Sequence, residues 1–401
     1  MRVVLLSETY PKDMGYLVTL LPKYLARQGA EVHLIVLDLP PYHYLPDYRR
    51  TYSSFVDPRL PVAGSVEQVD GYTVHVLAHH RWFGYAAPAG LLAKLRELRP
   101  DVVYSSVAIG WLPLLALVGQ WRLGYRLFTG SHTAAIMFPL AGRRHPWLRP
   151  AGIACLLARW LPGRLVSLFT RICYAPTRDC GAVAARFFGV QRDKLRIVHL
   201  GVDLEVFHPR AAGEDAERAA TRAELGIGPD EIVCIYTGKM TEWKNPLLVA
   251  DAVAALRARG LPWRGLFIGE GAQRDAIAAR PDCVVLDLMP YRRLGRYFRA
   301  ADIAVWPTNE STSMLDAAAC GLPIVVSDRI YRDHVDGNGR VYRMNDLDDL
   351  VRVLDELGDP ALRASLGAAG ARKMTERFNW ETIAADRLAD FRQALDRADP
   401  A

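Results

Sequence analysis

The chain has 401 residues, 51% of them hydrophobic and 23% charged, with a formal net charge of +6 and a pI near 9.0. That length exceeds one ordinary core, so two domains are expected, and the balance excludes wholesale disorder. The positive excess is mild and spread out: it suits an anionic small ligand or an anionic membrane surface and does not point to nucleic acid.

In chain order, short apolar runs alternate with amphipathic helical text, the pattern of an α/β fold built on parallel sheets. Residues 3–6 read as a buried strand. Leu17, Leu20, Leu21, Tyr24 and Leu25 follow at the spacing of one helix face, which Gly29 ends. Strands are expected at 32–36, 102–104, 126–128 and 172–174, with a helix at 91–98 stopped by Pro100. The loop at 40–52 holds four tyrosines and two arginines; it reads either as an acceptor-binding loop or as a Pro-stiffened loop packing its own rings. Residues 211–223 are rich in alanine and charge without a clear apolar face, as expected of a connector or a surface excursion. The second half begins with a strand at 232–236 and a helix opened by Asn245-Pro246. Further strands are expected at 265–268, 283–286, 303–306 and 324–326.

The apolar start is too short for a signal peptide. Residues 107–118, broken by Pro113, and 151–170, carrying Arg159 and Arg164, do not supply about 20 uninterrupted apolar residues, so no membrane span is predicted. The six cysteines, Cys155, Cys173, Cys180, Cys234, Cys283 and Cys320, form no CxxC pair. They read as reduced core residues of a cytoplasmic protein, and no metal site is expected.

Two segments carry chemistry. Gly238-Lys239-Met240-Thr241-Glu242-Trp243-Lys244-Asn245-Pro246 follows a strand and opens a helix. Two lysines flanking such a turn suit a diphosphate, whose charge needs cations and backbone N–H groups nearby; solvated surface lysines are the plain alternative. The second segment runs from Trp306-Pro307 through Thr308-Asn309-Glu310-Ser311-Thr312-Ser313 into a small-residue helix near Met314 that ends at Gly321-Leu322-Pro323. Its hydroxyls and free amides suit an anion, and its carboxylates suit sugar hydroxyls. A helix cap with Asp316 in the first turn explains part of this, but not the density of Ser and Thr.

Taken in order, these motifs resemble family 4 of the retaining glycosyltransferases, over nearly the whole chain. Lys239 and Lys244 match the family's diphosphate clamp, with Lys239 where Arg is commoner. Gly269-Glu270-Gly271, Ala301-Asp302-Ile303 and the hinge-like Leu200-Gly201-Val202-Asp203 with Phe207-His208-Pro209 stand in family order. Gly15 is what remains of a Gly-Gly loop that approaches the donor phosphate. His132, in Ser131-His132-Thr133, matches the active-site histidine. The family's two glutamates, with seven residues between them, are replaced by Glu310 and Asp316 with five between.

The resemblance implies the GT-B fold, α/β with two Rossmann-like domains facing each other across a cleft. Residues 1–200 are then the acceptor-binding domain and 201–377 the donor-binding domain, with the helix at 378–401 packing back on the first. It implies a retaining transfer from a nucleoside-diphosphate sugar, without cofactor or catalytic metal. His132, Glu310 and Lys244 take the catalytic roles. Gly15, Lys239, Lys244, Ser311, Thr312, Ser313 and Asp316 hold the donor. An epimerase or phosphorylase of the same fold, or a non-catalytic nucleotide-sugar-binding subunit, stays open beside it. The acceptor reads as lipid-linked or a small metabolite. Arg143, Arg144 and Arg149 with Leu156, Leu157, Trp160, Leu161, Arg164 and Leu165 are basic and amphipathic: they read either as a peripheral membrane contact or as a helix packed on its own domain.

Overall fold

The computed structural model describes residues 1–41, 61–211, 213–308, 310–330 and 335–396. The tyrosine-rich loop read at 40–52 falls outside them from residue 42 onward. Among the described residues the first half carries ten strands: β1 Arg2–Leu6, β2 Glu31–Leu37, β3 Val66–Val69, β4 Tyr72–Leu77, β5 His79–Trp82, β6 Tyr85–Pro88, β7 Val102–Ser105, β8 Arg126–Gly130, β9 Cys173–Ala175 and β10 Leu195–Ile197. Eight of them form one sheet in the order β10-β9-β8-β7-β1-β2-β4-β3, and β5 and β6 form a separate hairpin. Only β3 runs antiparallel to its neighbour in that sheet. Val3, Val4 and Leu6 are fully buried, as befits a central parallel strand covered on both faces.

The second half contributes β11 Ile232–Thr237, β12 Trp263–Ile268, β13 Cys283–Leu286, β14 Ile303–Trp306, β15 Ile324–Ser327 and β16 Gly339–Tyr342. They form a parallel sheet ordered β13-β12-β11-β14-β15-β16. In each sheet the chain order reverses once near the middle, between β7 and β1 in the first and between β11 and β14 in the second. Such switch points leave a crevice at the carboxyl ends of the strands.

The sheets are joined by two crossing segments that lie side by side: Val202 N–H donates to the Phe378 carbonyl at 2.7 Å, and Val202 bridges Asn379. The last helix, Trp380–Asp396, lies on the first sheet. Phe391 packs on Phe128 with ring centres 4.6 Å apart, and the Tyr174 hydroxyl donates to Asp390 at 2.8 Å. At the junction Lys23, on the helix Leu17–Arg27, is buried with its ammonium 2.9 Å from the fully buried Asp203 carboxylate. Tyr24 from the first domain and Tyr291 from the second donate to the same carboxylate, at 2.8 and 3.3 Å.

One expectation is corrected. The stretch 211–223 is neither connector nor excursion: it carries the helix Asp215–Glu224, which packs on the second domain. Its inward anchor is a cation rather than an apolar face. Arg222, buried, donates to the Asp302 carboxylate at 2.6 Å and to the Ala300 carbonyl at 2.9 Å. Among the described residues one helix, Pro150–Phe169, is long and apolar enough to cross a membrane by length and composition. Pro162 and two arginines do not interrupt it, because a wider i→i+5 turn at Leu156–Trp160 sits mid-helix and carries the chain through.

Candidate active site

The loops that follow β8 and β9 face those that follow β11 and β14 across a cleft of about 700 Å³. His132, residues 134–137 and residues 176–180 line one wall; Trp243, Thr308, Glu310, Ser311, Thr312 and Leu315 line the other.

On the second domain the loop after β11 is held from below. Gly269, at the end of β12, approaches so closely that a Cβ there would stand 1.9 Å from the Gly238 carbonyl oxygen; at Gly271 it would stand 2.5 Å from that of Met240. Met240 N–H donates to the Glu270 carbonyl at 2.8 Å. The glycine pair around Glu270 is therefore the bed on which residues 238–240 rest. From the side, Thr308 Oγ1 donates to the Trp243 carbonyl at 2.8 Å, and Lys244 Nζ donates to the Glu310 carbonyl at 3.2 Å. Two loops from neighbouring strands are thus tied into one surface.

Lys244 lies over the Trp243 ring, 4.8 Å from its centre. Burial pushes its pKa down to about 8; the Glu310 carboxylate opposes that shift, and the Lys239 cation adds to it. Lys239, Lys244 and Glu310 therefore share one electrostatic neighbourhood. Ser311 and Thr312 stand in the cleft wall, and Ser313 begins the helix Ser313–Ala319. Asp316, in that helix, is partly buried and set deep among protein atoms. This crowding, with the Asp203 carboxylate, pushes its pKa well up.

On the opposite wall His132 follows β8. Its ring lines the cleft, reached by solvent yet crowded by protein atoms around it. That desolvation, with the nearby Arg387 guanidinium, pushes its pKa down to about 4, so the imidazole is neutral at pH 7. Gly130 makes room for the ring: a Cβ there would lie 3.1 Å from His132 Nε2 and 2.5 Å from the Tyr104 hydroxyl.

The cleft gathers His132, Glu310, Ser311 and Thr312, with Lys244 and Lys239 beside them. Gly15 stands elsewhere. Its φ is +64°, and a Cβ there would meet the Tyr291 ring at 2.7 Å, so it packs against the second domain near the junction. The sequence reading missed Arg387. This residue of the last helix is buried, its guanidinium stands 3.6 Å from the Tyr174 ring centre, and Nε and Nη1 have no hydrogen-bond partner among the described residues. An arginine in an otherwise amphipathic helix gives no sequence signal of burial. It also missed Arg178 and Arg329, single cations that only the fold brings into the wall.

The model for Glycosyltransferase Family 4 matches residues 14–206, and that for Glycosyl transferases group 1 matches residues 231–359. The chain belongs to the family 4 glycosyltransferases. It is 31% identical over 243 residues to a D-inositol 3-phosphate glycosyltransferase of Xylanimonas cellulosilytica, covering 56% of this chain and 57% of that one. To the enzyme of the same name in Rhodococcus erythropolis it is 28% identical over 314 residues, covering 71% and 65%. The chain thus spans less than two thirds of the length of these relatives. Among solved structures, sucrose-phosphate synthase of Thermosynechococcus elongatus superposes with a TM-score of 0.69 at 17% identity, over 98% of each chain. Anabaena HepE in complex with UDP gives 0.68 at 13% identity, over 98% of this chain and 100% of that one. These likenesses identify the fold as GT-B.

Proposed function

We propose that this glycosyltransferase moves a hexosyl unit from a nucleoside-diphosphate sugar to an acceptor hydroxyl, with retention at the anomeric carbon. The observation that carries the reading is the tie of Lys244, with Lys239 in its electrostatic neighbourhood, to Glu310 beside Ser311 and Thr312 on one wall, opposite a neutral His132 on the other. The lysines neutralise the diphosphate as it leaves, in a setting of reduced polarity where charge counts for more than in water. The hydroxyls and amides of Ser311, Thr312 and Ser313 add donors, Glu310 accepts from the sugar, and Asp316 accepts from the ribose. His132 hydrogen-bonds the donor sugar from the other domain. The acceptor oxygen bonds to the anomeric carbon on the face that the diphosphate leaves, the carbon–oxygen bond to phosphate breaks, and the acceptor proton passes to a phosphate oxygen. Closure of the cleft excludes water that would hydrolyse the donor.

The acceptor binds on the first domain. The relatives' names favour a small polyol phosphate, for which Arg178 supplies a cation in the wall. The test is a thermal-shift screen against UDP, GDP, ADP and dTDP, followed by turnover of the matching nucleotide sugars with inositol phosphates as acceptors. A ligand that binds only the folded form raises its stability. NMR of the product reads the anomeric configuration. No shift with any nucleoside diphosphate at millimolar concentration overturns the donor site, and an inverted product overturns retention.

A further inference from the structure

Residues 102–178 contain no aspartate or glutamate and nine arginines, in a chain that elsewhere mixes the two signs. The same segment carries a continuous apolar surface. On the helix Pro150–Phe169, the side chains of Ile153, Leu157, Leu161, Leu165, Leu168 and Phe169 are exposed, Leu157 to 60%; Leu148, just before it, is exposed to 82%. Trp121, at the end of the helix Trp111–Leu123, stands edge-on to Phe169 at 5.2 Å and extends the surface at that end. The positions 153, 157, 161 and 165 recur every four residues. In an α-helix such a series drifts by about 40° per step. The wider turn at Leu156–Trp160 takes back part of that drift and keeps the four side chains in line.

The opposite face of the helix is fixed to the protein. A Cβ at Gly152 would stand 1.9 Å from the Pro146 carbonyl oxygen, one at Gly163 2.0 Å from that of Phe188, and one at Gly189 2.2 Å from that of Trp160. A helix pinned by backbone approaches along its length cannot leave the domain to span a bilayer, although it is long enough. It can lie in the plane of one, with its apolar side sunk at the boundary of headgroups and acyl chains. Exposed cations flank that side: Arg143, Arg144 and Arg149 before the helix, and Arg122 beside Trp121. They complement anionic headgroups.

We propose that this face docks the enzyme on a bilayer surface that carries anionic phospholipid. Exposed Ile136 and Met137 continue the same acid-free segment into the cleft wall beside His132. Docking therefore brings the acceptor-side wall of the cleft close to the membrane surface. That last clause rests on the transfer reading, whereas the docking does not.

The test is sedimentation of the full chain with vesicles of phosphatidylcholine alone and of phosphatidylcholine with phosphatidylglycerol in equal parts. Binding to the anionic vesicles is expected to be roughly tenfold or more tighter than to the neutral ones, and to weaken with salt. The variant Leu157→Glu/Leu161→Glu/Leu165→Glu and, separately, Arg143→Glu/Arg144→Glu are expected to lose roughly tenfold in vesicle affinity. Both are expected to keep the melting midpoint of the parent, which shows that folding is intact. No sedimentation with anionic vesicles, equal binding to neutral ones, or triple-variant binding like the parent overturns the proposal. So does a parent that runs as a dimer and becomes a monomer in the triple variant, since a second copy then covers the face.

Discussion

Removing the Lys244 ammonium separates what that cation does for the fold from what it does for a ligand. Burial brings its pKa from the ordinary 10.5 to about 8, which corresponds to roughly 3 kcal/mol of disfavoured charge at neutral pH. The folded pKa lies below the unfolded one, so this penalty is complete below pH 8 and fades as pH rises toward 10.5. Its bond to the Glu310 carbonyl gives back about 1.5–3 kcal/mol, the range for a hydrogen bond with one charged partner. Lys244→Met, similar in length and uncharged, is therefore expected to leave stability without nucleotide unchanged or slightly raised at pH 7. Nucleotide binding is expected to fall by about 10- to 150-fold, the same energy expressed as affinity. A bound diphosphate favours the protonated amine, so affinity in the parent is expected to drop by up to about tenfold per pH unit above pH 8. The variant lacks that slope. Calorimetric titration with whichever of UDP, GDP, ADP and dTDP binds, at pH values from 7 to 9.5, reads both effects. A loss of less than threefold in the variant, or a flat profile in the parent, refutes the assignment of Lys244 to the diphosphate.

Three further outcomes follow from the geometry. His132 is neutral down to about pH 4, so kcat is expected to show no limb from it between pH 5 and 8, and Arg387→Met is expected to move its limb upward by removing a cation that opposes protonation; a limb that stays put denies the link, whatever happens to the melting midpoint. Gly269→Ala presses a Cβ toward the Gly238 carbonyl at a φ of +150°, so it is expected to lower stability by about 1–3 kcal/mol in urea unfolding and to weaken nucleotide binding by moving the Lys239 turn; a loss of stability with unchanged affinity refutes the role given to the glycine bed. Lys23→Met leaves the Asp203 carboxylate buried without its cation, and urea unfolding is expected to show a loss of about 3–5 kcal/mol; less than 1 kcal/mol means that Asp203 becomes solvated or protonated cheaply.

The strands of both sheet centres were legible because buried parallel strands are short apolar runs between turn signals, as in Val3, Val4, Leu5 and Leu6. The strands β3 to β6 were not, because they carry histidines and other polar residues: His75 is buried in β4 with its Nε2 3.1 Å from His33 Nδ1, a contact no pattern announces. The lysine turn and the hydroxyl-rich loop were visible as local text. The contacts that join them were not, since the Thr308–Trp243 and Lys244–Glu310 bonds link residues 65 and 66 apart in sequence. At Gly15 the fold adds what motif order could not supply: the backbone sits at a φ of +64°, and a Cβ there would meet the Tyr291 ring at 2.7 Å.

Charge ties these features together. In the second domain many cations are paired with carboxylates, as Arg222 with Asp302, whereas Lys244 reaches across to the neighbouring cleft loop. In the first domain the arginines from Arg122 to Arg171 lie in a stretch of sequence without acids, and several stand exposed beside apolar side chains. A surface selected only for solubility would intersperse both signs and bury or break the leucines. Arginines without acids around an apolar helix face, pinned in place by glycines, instead form a surface whose desolvation is favourable only against another apolar, negatively charged one. On the proposed reading, positive charge acts at two scales: Lys244 and Lys239 at one diphosphate, and a broad exposed rim at many headgroups. Salt separates the two. Screening over about 8–10 Å weakens the fully exposed rim more than the half-buried lysines, so raising ionic strength is expected to release the enzyme from vesicles before it releases nucleotide.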